Sequence, residues 1–157
     1  MLLFEWSEYA TENEDGERLD GSGFQLRDGD GRALAWDDEA LAAEGVTVFS
    51  VAGVSYRLEA AQSDGFAPGS LLALVPEPEN EFDPNAIGVW DEARREQVGF
   101  VPADRAVEIG ERLRDQVGAI VLWEWRTQGK RSALRVLVAP SLTVGRLRRS
   151  AARRVRA

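Results

Sequence analysis

Apolar residues fall along the chain in short runs parted by clusters of Gly, Asp, Asn and Pro, and this spacing predicts short strands joined by tight turns. The longest β-branched and aromatic run, residues 46–58, reads as the first strand of a barrel, with Gly53 inside it as a bulge or sharp bend. Residues 70–75, 86–90, 97–101, 119–125 and 133–138 supply further strands, the last two joined by a turn at Gln128-Gly129-Lys130. Between them, Ala106, Ile109, Leu113 and Val117 recur at helical steps, with Glu108 four residues ahead of Arg112. That spacing predicts a helix over 103–116 ended by Gly118. Ahead of this region, residues 2–6 read as a strand, and 24–27 with 32–36 as a hairpin around Asp28-Gly29-Asp30-Gly31. Residues 37–43 give a short helix with acids in its first turn, stopped at Gly45. The expected fold class is mainly β: a small OB-like or SH3-like β-barrel, partly open, with one main α-helix and a short β-containing N-terminal extension. Three segments follow: an acidic extension over 1–45, the barrel over 46–140 and an arginine-rich tail over 141–157.

Composition narrows the chemistry. The 157 residues contain no cysteine and no histidine. Disulfides, thiolate zinc sites, cysteine nucleophiles, imidazole ligands and the usual base of a hydrolytic triad are therefore excluded together. No apolar run approaches the length of a membrane span, and Met1-Leu2-Leu3-Phe4 meets Glu5 rather than a basic segment, so the expectation is a soluble, cytoplasmic protein. Asp28-Gly29-Asp30-Gly31 invites a calcium reading, but position six from Asp28 is Ala33 where an EF-hand loop needs glycine; a turn built from Asp and Gly accounts for the same residues. Trp123 and Trp125 share a strand face, as a buried or interface pair or as a stacking platform, the burial of large rings being the commoner outcome.

Charge is divided along the chain. All 27 acids lie at or before Glu124, and 10 of the 19 bases lie after it, so the net charge is -18 through residue 125 and +10 beyond. Arg146, Arg148, Arg149, Arg153, Arg154 and Arg156 crowd the last twelve residues. Such a segment suits either contact with a polyanion or a solvated tail folding back on the chain's own acidic surface.

The segment that concentrates unusual chemistry is Val75-Pro76-Glu77-Pro78-Glu79-Asn80-Glu81-Phe82-Asp83-Pro84-Asn85-Ala86-Ile87. Its prolines stiffen a polar loop between two strands, which suits binding of something flat and polar: the ring stacks while amide and carboxylate fix orientation. Alternatively, Phe82 plugs the barrel end and Asp83 or Asn85 bonds its own backbone. The succession of Val51-Ala52-Gly53-Val54-Ser55-Tyr56, this E-P-x-N-x-F-D-x-N-A-I core, Gln97-Val98-Gly99-Phe100 and a helix resembles a HIRAN domain over about residues 46–140.

The resemblance implies an OB-like barrel that captures the free 3′ end of single-stranded DNA in a repair or replication setting, with no catalysis and no cofactor of its own. It implies that Tyr56 and Phe82 stack on terminal bases, that Asp83 accepts a hydrogen bond from the 3′-hydroxyl, that Asn80 positions sugar or phosphate, and that Arg57 and Phe100 flank them. A carboxylate that welcomes a hydroxyl repels a phosphate in the same place. Ser55 stands where DNA-binding members carry a base, Phe82 lacks a tyrosine hydroxyl, and Phe100 sits where a polar ring can occur, so phosphate affinity is expected to be weaker. Arg126, Lys130, Arg131 and Arg135 on the last hairpin, and Arg146, Arg148 and Arg149 on the tail, would compensate by tracking phosphates. Neither G-x-x-x-x-G-K-[ST] nor G-x-G-x-x-G occurs, so unwinding or cutting would belong to a partner such as a helicase or nuclease. The rival reading is a protein-interaction module whose barrel groove takes a peptide or a partner protein, such as the acidic extension of another copy, rather than DNA, which the acidic body favours. An Mg²⁺ nuclease built on the acids of 28–39 lacks a second convergent cluster.

Overall fold

The computed structural model describes residues 1–156, the side chains of Val155 and Arg156 excepted; of the basic tail, Arg156 thus has its side chain outside the described residues. The chain is mainly β, with nine strands in one antiparallel sheet system: β1 (Leu3–Glu12), β2 (Arg18–Arg27), β3 (Ala33–Leu34), β4 (Thr47–Ser50), β5 (Leu71–Pro76), β6 (Ile87–Asp91), β7 (Gln97–Phe100), β8 (Val117–Thr127) and β9 (Lys130–Pro140). Four helices accompany them: α1 (Glu39–Ala43), α2 (Leu58–Ala61), α3 (Ala103–Arg112) and α4 (Ser141–Arg156).

Pairing runs β9-β8-β5-β6-β7 on one side, and β4 lies against β9. The ring closes through Ala52, whose N–H and C=O exchange bonds of 2.8 and 2.9 Å with Phe100. The barrel is therefore closed at this seam by a single bridge. Inside it pack Phe49, Val89, Val98, Val121, Leu134 and Val136, with Ile109 of α3 and Ala61 and Phe66 around α2. The helix α3 is tied down by its own cations: Arg105 donates to Val48 O at 3.2 Å, and Arg112 to Thr47 Oγ1 at 2.8 Å and to Gly45 O.

The hairpin β8–β9 has apolar side chains on both faces because it is a wall between two cores. Ala119, Val121, Leu134 and Val136 face the barrel, whereas Ile120, Leu137 and Ala139 face a second core built with Leu2, Phe24, Leu26, Leu41, Val144 and Leu147. The register slips between Val121 and Trp123, and there β8 changes neighbour from β5 (Leu71, Leu72) to β2 (Asp20–Gly23). This bulge lets one strand serve the barrel and the N-terminal extension.

Several expectations are corrected. The run 46–58 is not one long strand: Gly53 adopts φ +81°, a conformation glycine takes without Cβ strain, and turns the chain into a 3-10 turn over Val54–Tyr56 and then α2. The main helix stops at Arg112, and Gly118 lies inside β8. The strand expected over 2–6 extends to Glu12, because its register with β2 is unbroken from Leu3↔Arg27 to Glu12↔Arg18. The tail is a helix: Val144 and Leu147 are buried in the second core, Arg146 donates to Leu2 O at 2.8 Å, and the Arg154 guanidinium lies 3.6 Å over Trp6 with Glu8 at 3.5 Å. The basic segment thus folds back on the acidic extension. The hairpin around Asp28 is present, and Asp28 Oδ1 accepts the Asp30 and Arg32 N–H groups at 3.0 and 2.9 Å, which accounts for the Asp-Gly run as a turn. Trp123 is fully buried and packs with Trp125, Tyr9 and Trp36, the shared-core outcome for those rings. Among the described residues, no helix is long and apolar enough to cross a membrane.

Candidate nucleic-acid interface

Two aromatic side chains stand out against a chain that buries most of its large rings: Tyr56 is 92% exposed and Phe82 is 95% exposed. Neither is loosely held. The turn that carries Tyr56 follows the Ala52–Phe100 seam and is closed by Tyr56 N–H to Gly53 O at 3.1 Å and Arg57 N–H to Val54 O at 2.8 Å, with Val54 buried beneath it. The loop that carries Phe82, residues 77–86, joins β5 to β6 and is cross-linked from within. Asn80 Oδ1 accepts both the Phe82 and Asp83 N–H groups, at 2.9 and 3.0 Å. Asp83 Oδ1 accepts Asn85 N–H at 2.8 Å, and Glu77 N–H bonds Ala86 O at 2.8 Å. These side-chain-capped turns fix the backbone while aiming the Phe82 ring at solvent.

Phe82 therefore does not plug the barrel end. Asp83 does bond its own backbone, but with Oδ1 alone; Oδ2 makes no hydrogen bond to any described residue. Asn80 is committed to the loop: both lone pairs of its carbonyl are taken, and Nδ2 donates to Glu77 Oε1 at 3.2 Å. Phe100, opposite Gly88 in the β6–β7 ladder, is half-buried and lies beneath the Arg57 guanidinium at 5.8 Å. Tyr56 and Phe82 thus ride on segments that both anchor at the Phe100 end of β7, one through Ala52 and the other through Ile87 and Gly88.

The basic residues divide. Arg131 is a correction: it is buried, not on the surface, with its guanidinium on Glu124 at 3.2 Å and on Ala61 O and Ser63 O at 2.7 and 2.9 Å. Arg126 is half-buried and committed to Glu124 at 2.6 Å and Gly129 O at 3.0 Å, and Arg146 is committed to Leu2 O. Lys130, Arg148 and Arg149 are exposed. Arg148 borders a cleft with Asp91 and Glu92, at the end of β6 opposite to the one that meets the Phe82 loop. The tail and the two rings are not on one continuous edge.

The family model for the HIRAN domain matches residues 44–127, just over half of the chain, and its span contains the seam strand β4, the Tyr56 turn, the Phe82 loop and β7. The chain belongs to the HIRAN domain family. As a family, HIRAN domains are DNA-binding modules and not catalysts. Among solved structures, this HIRAN chain is similar to the crystal structure of the HIRAN domain of human HLTF, with 19% identity, a TM-score of 0.43 and coverage of 66% of this chain and 83% of that one. No curated protein matches it in sequence. The matched span ends at Thr127, so β9, α4 and the hairpin β1–β2 lie outside it, although β9 pairs with β4 and β8 in the same barrel. The cleft that Tyr9, Trp36 and Arg135 form at the border of that span has no motif in the sequence; its signal was only an arginine alternating with apolar residues in β9.

Proposed function

We propose that this HIRAN protein captures the 3′-hydroxyl end of single-stranded DNA in a repair or replication setting. The observation that carries the reading is the pair of nearly fully exposed rings, Tyr56 and Phe82, on internally bonded turns that anchor at the same end of β7. Exposing such rings forgoes about 1.5–3 kcal/mol of burial each, and stacking on a base recovers about 1–3 kcal/mol per ring without sequence preference. The free Oδ2 of Asp83 is an acceptor for a terminal hydroxyl, and its charge, with Glu77, Glu79 and Glu81 in the same loop, disfavours a terminal phosphate. Arg57 is the one base beside this site that the turn itself supplies, so affinity depends on stacking and on the hydroxyl more than on counterion release. Unwinding or cutting of the captured end falls to a partner protein such as a helicase or nuclease.

The test is fluorescence anisotropy with a labelled single-stranded ten-mer ending in a 3′-hydroxyl or a 3′-phosphate, for the wild-type protein and Asp83→Ala. Preference for the hydroxyl end that disappears in Asp83→Ala is the expected result. Equal, salt-sensitive binding to both ends would assign DNA contact to Lys130, Arg148 and Arg149 alone. Binding to neither would leave the rings as contacts for a protein.

A further inference from the structure

A cleft of about 520 Å³ lies at the border of the HIRAN-matched span, between β3 with Trp36, outside it, and β4, inside it. Leu34 and Phe49 form its floor, Tyr9 and Trp36 its aromatic walls, and Arg135 of β9 reaches into it. Its size falls within the ordinary range for small-molecule sites, and its lining is of the usual kind: mostly apolar, with few polar groups.

Arg135 is the unusual member. In a chain whose first 125 residues carry a net charge of -18, this guanidinium has no carboxylate within 4.0 Å and no hydrogen-bond acceptor among the described residues. Nη1 is buried without a partner. The Trp36 ring, 5.0 Å from the guanidinium carbon, is what holds it, by a cation–π contact that orients the fork without satisfying any N–H. Burial lowers the pKa of Arg135 from the ordinary guanidinium value, with the nearby Tyr9 acting weakly in the other direction. Asp37 also borders the cleft, exposed, and forms no ion pair with Arg135. The buried Nη1 without a partner costs stability in the free protein, and the other guanidinium N–H groups, which bond no described residue, are left to meet an anion in the cleft.

The geometry points to a second binding site in this cleft, one that takes a small aromatic anion: Arg135 holds its phosphate or carboxylate, and the walls of Tyr9 and Trp36 over the Leu34 floor hold its flat body. A guanidinium fork is matched to either oxyanion, and a ring fits the apolar walls. The site is independent of Tyr56 and Phe82.

The test is calorimetric titration of the full chain with adenosine 5′-monophosphate and, separately, with phenylacetate, using adenosine and inorganic phosphate as controls. Binding of the nucleotide points to a phosphate source and binding of phenylacetate to a carboxylate source, and each supports the site if it weakens about 10- to 100-fold in Arg135→Met. Trp36→Leu should weaken it as well, Asp37→Asn should tighten it, and Phe82→Ala should leave it unchanged, so that failure here and failure of DNA-end capture are separable. Because Arg135 has no hydrogen-bond or ion-pair partner among the described residues and methionine keeps an apolar contact with Trp36, the Tm of Arg135→Met should stay level or rise. Failure of both aromatic anions to bind overturns the proposal, as does binding undiminished in Arg135→Met. A lowered Tm in that variant would mark the arginine as structural, and inorganic phosphate binding as tightly as the nucleotide would overturn the aromatic wall.

Discussion

Arg131→Met decides whether this cation belongs to the fold or to a nucleic-acid surface. Its side chain is 4% exposed and that of its partner Glu124 is 6% exposed, and its remaining bonds run to two carbonyls at the end of α2. Methionine occupies much of the same space, so the loss is chiefly electrostatic. Glu124 keeps only Arg126, while Ala61 O and Ser63 O lose their charged donor. Removing one member of a buried pair costs about 3–5 kcal/mol. For a chain of this length each kcal/mol moves Tm by about 2–4 °C, so a fall of about 6–20 °C is expected. The double variant Glu124→Met/Arg131→Met removes the stranded carboxylate and should be more stable than the sum of the single changes by about 0.5–3 kcal/mol. Thermal and urea unfolding followed by circular dichroism measure these effects. DNA affinity against salt, taken at a temperature where the variant is folded, should show the wild-type slope. An unchanged Tm together with a slope shallower by about one unit would put Arg131 on a phosphate and refute the reasoning.

Three other expectations concern the rest of the molecule. Gly23→Ala places a Cβ against Leu122 O and 2.7 Å from Trp123 Cα at φ +152°; it should cost about 1–3 kcal/mol and diminish the near-ultraviolet dichroism of the Trp123 cluster. Arg148→Ala/Arg149→Ala removes two exposed cations of α4 and should leave Tm nearly unchanged, with any salt-sensitive DNA binding reduced and its slope lower by up to about two. Asp28 has a folded pKa below the ordinary 3.8, chiefly because its carboxylate accepts the Arg32 N–H, so its stabilising contribution is present above that value and lost as pH falls through the lower folded one. Asp28→Asn should therefore narrow its stability gap to wild type on acidification, read as Tm against pH between 5 and 2.

Much of the barrel is legible in the sequence because its strands are bounded by residues with one structural meaning: Pro76 and Ile87 bracket the loop, and Gln128-Gly129 turns β8 into β9. The Phe82 loop is legible for the same reason, since Asn80 and Asp83 are turn formers at turn spacing. The failures occur where long-range packing decides. Gly53 marks a bend in 46–58, but nothing local says that the strand ends there, because the β-branched residues around it favour a strand until the seam with Phe100 bends the chain away. Nor does the arginine-rich tail reveal its fold by charge. Val144 and Leu147 are too few to mark an amphipathic helix by themselves, and the partners that make it one, Leu2 and Phe24, lie at the opposite end of the chain. Arg131 and Arg135 look alike in sequence and differ only through what α2 and Trp36 bring to them.

The wall formed by β8 and β9 ties the history of the two cores together. A substitution at Val121 is felt in the barrel and one at Ile120 in the N-terminal core, yet both sit in the same ladder, and loss of either face unsupports the other. The HIRAN-matched segment stops before β9 and so lacks half of that wall. The barrel and the N-terminal core thus share one hairpin, with Leu2 and Phe24 from one end of the chain and Val144 and Leu147 from the other packed against its far face.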